Sequence, residues 1–148
     1  MRYVLLFPCA LAAATSAQVQ DSAHEANVPI RVVRDGIPEP LSRSPGNAER
    51  GRTLMVQRAA ANCLLCHALP GAPVAGNVGP SLADVAKRLS GAQIRLRIAD
   101  IQLVKRDAVM PSYYRIERLD RVAAEYRGKP VLNMQQVEDL VAYLETLR

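Results

Sequence analysis

Residues 62–69, NCLLCHAL, place Cys63 and Cys66 three positions apart and follow them at once with His67. The 148-residue chain has only three cysteines and two histidines, so most of its thiol and imidazole chemistry is gathered in one turn. A redox dithiol, half of a zinc site and an attachment site for c-type haem all use such a spacing. Zinc needs about four ligands, and only the remote His24 remains to join these three. Adjacent Cys66 and His67 are also poorly placed to face one tetrahedral ion. A dithiol oxidoreductase places C-x-x-C at a helix N-terminus after a strand, whereas a helical pattern precedes this motif and no strands flank it. A plain disulfide closing so short a loop would stabilise little. Haem attachment accounts for all three residues. Cys63 and Cys66 form thioethers to the porphyrin, and His67 gives a ring nitrogen to the iron.

A sixth ligand has few sources. His24 lies in a proline-bearing stretch and reads as a solvated side chain. Met55 falls on the apolar face of a helical run, and Met134 opens the last helix, so both read as packing. Met110 stands in a loop before Pro111, which restrains the backbone, and 43 residues separate it from His67. That is enough chain to reach the opposite haem face, and Met110 is the expected distal ligand. A His and Met pair saturates the iron. This points away from oxygen binding or peroxidase chemistry and towards outer-sphere electron transfer, with the thioether raising the potential.

These groups need an oxidising compartment and a scaffold. MRYVLLFPCALAAATSA, residues 1–17, has the layout of a secretory signal peptide, with cleavage expected after Ala17 and a periplasmic destination. Its apolar part, residues 3–14, is shorter than the roughly 20 residues of a membrane span, and no later segment comes close. Cys9 follows Pro8 instead of the small residue that lipoprotein processing wants, so it belongs to the discarded peptide. Without Arg2 the chain keeps 18 basic against 14 acidic residues, a scattered +4. This gives little support for nucleic acid and suits docking to an acidic protein surface. Phe7 leaves with the signal, so the mature chain has no Phe or Trp and four Tyr. Either the core is unusually aliphatic or a cofactor supplies the missing ring.

Residues 18–46 carry Pro29, Pro38, Pro40 and Pro45 without sustained periodicity. They read as an extended N-terminal arm that stays mobile or lies along a partner. Helical signals begin at Asn47, a candidate N-cap for AERGRTLMVQRAAAN, with Gly51, Leu54, Met55 and Ala59 on one face. PSLADVAKRLS and AQIRLRIADIQLVK carry similar stripes. In the last helix Asn133 and Gln136 form a capping-box pattern ahead of Val137, Leu140, Val141 and Leu144. Strand patterns are missing. The expectation is an all-α domain over residues 47–148, loop-rich around 66–80 and 106–116.

GRTLMVQR before C-x-x-C-H, NVGPSL and VMP after it, and DLVAYLETL near the end resemble the class I cytochrome c family in kind and order. The resemblance implies a small helical fold wrapped around one covalent haem c. It has Gly51 packing on the last helix near Tyr143, and the Pro80 carbonyl accepting a hydrogen bond from His67. The four residues AAAN before Cys63 depart from that pattern. IRLRIAD, VMPSYYR and RVAAEYRGKPVLNMQQVEDLVAYLETL are more specifically similar to the X subunit of the bacterial Sox thiosulfate-oxidising system.

That likeness implies a heterodimer with a haem-bearing A subunit, acting as an L-cysteine S-thiosulfotransferase that joins thiosulfate to a cysteine of a carrier protein. It makes this chain a non-catalytic relay towards an acceptor such as a small cytochrome c. A freely diffusing periplasmic carrier serving an oxidase or dehydrogenase is the main alternative, and a thiol-disulfide enzyme is a second.

Overall fold

The computed structural model describes residues 29–57, 61–73 and 76–148. The signal-peptide reading, His24 and the first part of the arm lie outside these residues, as do Arg58 and the first two residues, Ala59 and Ala60, of the AAAN insertion before the motif. Among the described residues four α-helices follow in order: α1 (Ala48–Val56), α2 (Val85–Arg88), α3 (Gly91–Asp100) and α4 (Met134–Leu144). Among the described residues, β-structure is limited to a single bridge between Val33 and Gly36.

The frame is the crossing of α1 and α4. Asn47 caps α1, its side chain accepting from the Arg50 amide as the sequence suggests. Gly51 lets the two backbones meet. A Cβ there would overlap the Asp139 carbonyl and come 2.8 Å from the Tyr143 Cβ. Asp139 ties the crossing from the other side. Its carboxylate accepts from the Asn47 amide at 2.8 Å and from the Arg50 guanidinium at 2.7 and 2.8 Å. Burial pushes the Asp139 carboxyl up, but the Arg50, Gln135 and Asn47 hydrogen bonds outweigh it and hold it below the usual carboxylate range.

On α4, Asn133 and Gln136 make the full capping box, and Val137, Leu140, Val141 and Leu144 are buried. They meet Ile94, Leu96, Ile98 and Ala99 of α3 in a largely aliphatic core. Three tyrosines, Tyr113, Tyr114 and Tyr143, supply its aromatic rings. Truncating one such fully buried aliphatic to alanine costs roughly 2–5 kcal/mol.

The arm differs from its expectation over residues 29–46, which lie against α3 and α4 of their own chain. Ile37 is buried, and its amide donates to the Ala92 carbonyl at 2.9 Å. Beneath it, Arg95 and Glu138 form a buried two-point ion pair at 2.7 and 2.8 Å. Arg95 also donates to the Ile37 carbonyl, and Glu138 accepts from the Leu41 amide. A buried ion pair is tolerated only when its remaining valences are filled, and the arm's backbone fills them.

The PSLADVAKRLS stripe is helical only over Val85–Arg88. Asp84 takes a left-handed conformation (φ 54°), and the backbone before it serves other partners. The third stripe leaves the α-helix at Asp100 and continues as a 3-10 turn, Ile101–Leu103.

Candidate functional site

Cys63–Leu65 form a 3-10 turn entered through Asn62, which is left-handed at φ 53°. The Cys63 carbonyl accepts from both the Cys66 and His67 amides, at 3.2 and 3.0 Å. The three chemical residues therefore share one tight turn, the compactness their spacing implies. The following loop folds back over it. Gly76 donates to the Leu64 carbonyl, Gly79 to the Cys66 carbonyl at 2.8 Å, and Leu82 to the Ala68 carbonyl. This is where the expected helix from Pro80 is lost, since those backbone groups serve the motif instead.

The His67 ring is held on two sides. Its Nδ1 lies 2.7 Å from the Pro80 carbonyl oxygen. A carbonyl only accepts, so the proton sits on Nδ1 and Nε2 keeps the lone pair a metal needs. Gly79 lies against the same ring, and a Cβ there would come 2.7 Å from Nδ1 and 2.8 Å from Nε2. Sequence reasoning named Pro80 and passed over Gly79, whose only signal is its place in NVGPSL.

An inner cavity collects the remaining groups. Cys63, His67 and Met110 line it, with apolar walls from Met55, Leu82, Ile98, Leu132, Leu140 and Leu144. Cys66 sits half-buried beside it on the same turn. A larger cleft of about 470 Å³ adjoins across Met55 and runs along Val56, Leu64, Leu65 and Pro70. None of the candidate iron ligands lines this larger cleft, whereas His67 and Met110 both line the inner cavity. Met55 is 3% exposed and lines this inner cavity together with Met110, whereas Met134 is buried at the start of α4 and does not line it. Tyr113 was not singled out from the sequence. It lines the cavity, and its hydroxyl donates to the Ala61 carbonyl at 2.8 Å, tying the Met110 loop to the residues just before the motif.

The electrostatics suit an apolar, covalently held group better than a redox dithiol. Burial pushes the Cys63 thiol up to about 11, so at neutral pH it is a neutral, poorly nucleophilic group. The Tyr113 hydroxyl is also pushed up by burial. Among the described residues, no three His, Cys, Asp or Glu side chains cluster closely enough to hold a metal ion by themselves. Two thiols, one imidazole with its outer nitrogen satisfied, the thioethers of Met110 and Met55 and otherwise largely apolar walls form a donor set that fits haem c.

The profile of the cytochrome c family matches residues 48–148. A chain in the crystal structure of SoxXA from P. pantotrophus superimposes with a TM-score of 0.75 at 31% identity, covering 82% of this chain and 96% of that one. The c-type cytochrome SorU from Sinorhizobium meliloti gives a TM-score of 0.46 at 20% identity, covering 68% and 88% of the two chains, too loose a fit to carry weight. No curated protein matches. Among the described residues, no helix is long and apolar enough to cross a membrane.

Proposed function

This chain belongs to the cytochrome c family as a SoxX-like monohaem cytochrome, and from that premise we propose that it is the electron-transfer subunit of a SoxXA-type complex. Cys63 and Cys66 would hold the haem through thioethers, and His67 and Met110 would supply the nitrogen and sulfur that bind its iron. The bound haem supplies a one-electron Fe(III)/Fe(II) couple. The protein binds, orients and shields. Pro80 and Gly79 fix the imidazole plane, and the aliphatic walls keep water from the iron. The observation that carries this reading is that one apolar cavity brings together Cys63, His67 and Met110.

In the proposed complex a carrier-protein cysteine is joined to thiosulfate. An S–S bond forms between the cysteine sulfur and the outer sulfur of thiosulfate, the thiol proton leaves, and two electrons are released. With a single one-electron group bound, this chain would pass the two electrons singly to an acceptor such as a small cytochrome c. The haem-bearing A subunit holds the sulfur chemistry. Secretion to the periplasm through residues 1–17 places the chain where c-type haem is attached.

The test mixes oxidised protein with the A subunit, carrier protein and thiosulfate without oxygen. Reduction of this chain's haem is expected only when the A subunit is present. Equally fast reduction without it would support a diffusing carrier instead. One observation favours that second reading, because residues 29–46 pack on their own chain and so do not themselves call for a partner.

A further inference from the structure

The carboxylate of Asp100 is 1% exposed and sits at the C-terminal end of α3, where the helix dipole disfavours negative charge. Burying a carboxylate there has to be offset, and every partner that offsets it comes from the α3 exit or from the loop that carries Met110. Asp100 accepts from the Ser112 hydroxyl and, at 3.2 Å, from the Gln102 amide. Arg115 sets its Nε 2.9 Å from the second carboxylate oxygen, and the same guanidinium donates to the Gln102 side chain. The loop backbone follows the same attachment. Tyr113 and Tyr114 donate to the Ile98 and Ala99 carbonyls at 3.3 and 3.2 Å, meeting helix-end acceptors that would otherwise be open.

Only Pro111 separates Ser112 from Met110, and its ring fixes one of the backbone torsions between them. We propose that Asp100, acting through Ser112 and Arg115, is the positioning residue that sets how firmly Met110 holds the iron. The inference rests on the reading of Met110 as distal ligand. In this arrangement Asp100 does not touch the iron. It anchors the loop so that the thioether stays in place against competitors.

The test measures imidazole binding to the oxidised holoprotein, together with the reduction potential and unfolding midpoint. Asp100→Asn and Ser112→Ala are each expected to tighten imidazole binding by about tenfold or more, the scale of one charged hydrogen bond, and to lower the potential. Ser112→Thr keeps the hydroxyl and should restore near-wild-type affinity. Val137→Ala, in the α4 core and off the cavity, should lower stability while leaving imidazole affinity unchanged. If Val137→Ala tightens imidazole as much as Ser112→Ala does, general loosening explains the effect and the proposal is overturned. If Met110→Ala removes the sulfur-to-iron charge-transfer band while Asp100→Asn and Ser112→Ala bind imidazole like wild type, positioning alone is wrong. If Met110→Ala leaves that band in place, the ligand reading has failed and the positioning role falls with it.

Discussion

The two sides of the cavity are built on different length scales. The His67 side is local. Between Cys63 and Leu82, short-range hydrogen bonds fold one turn and one loop together, and the imidazole is braced within thirteen residues of itself. The Met110 side combines contacts of that same span, from Ser112 to Asp100 and from Tyr113 to Ile98, with far longer ones. Its loop is fastened to the end of α3, to Leu132 and, through Tyr113, to Ala61, a residue 52 positions away. On the proposed reading, Met110 is therefore the ligand whose hold can be adjusted through residues outside the cavity.

The largest expected effect breaks the local side. Replacing both Cys63 and Cys66 with serine should remove the covalent haem and leave little folded protein. Intact mass and circular dichroism check this, with the wild type weighing as residues 18–148 plus one haem. Next, Met110→Ala should abolish the sulfur-to-iron charge-transfer band and lower the potential, on the order of 0.1–0.3 V out of the roughly 0.8 V that axial ligands span. Met55→Ala and Met134→Ala should keep the band. Loss of the band in Met55→Ala alone would move the distal ligand out of the loop.

Gly79→Ala sharpens the contrast. The added Cβ meets the His67 ring, so the ring must shift or the loop must open, at about 1–3 kcal/mol. Thermal unfolding should register that loss, while the Met110 band persists in the folded fraction. Disappearance of the band would mean that the two sides are coupled more tightly than their separate fastenings imply.

The smallest effect concerns the frame both sides share. The Asp139 carboxyl is held below its ordinary value of about 3.9, so its contribution is fully present above that pH. It is lost as pH falls through the lower, folded value. Stability should therefore decline below about pH 4, and Asp139→Asn should flatten that part of the profile. An unchanged acid profile in the variant would remove Asp139 from the account of the α1–α4 crossing.

This difference in length scale also explains what the sequence made legible. The motif and the caps at Asn47 and Asn133 depend on near neighbours or fixed spacing, whereas the glycine crossing and the Pro80 contact were legible only through the family resemblance. Asp100 is harder to see, because a lone acid in RIADIQ gains its meaning only when Ser112 and Arg115 fold over it. The arm misleads for the same reason. Its composition is that of a mobile segment, yet the buried pair of Arg95 and Glu138 needs the Ile37 carbonyl and the Leu41 amide. The stripe after Pro80 has helical periodicity, but tertiary hydrogen bonds take up the backbone a longer helix would have used. Propensity yields there to the site.

The central claim is that this cytochrome works as one half of a SoxXA-type pair, and native purification from its source under gentle conditions tests it most directly. The expected result is a stable one-to-one complex with a second haem-bearing chain, which persists through size exclusion and separates only on denaturation. A monomeric native cytochrome of about one haem, with no such chain bound at any salt concentration, would contradict the account.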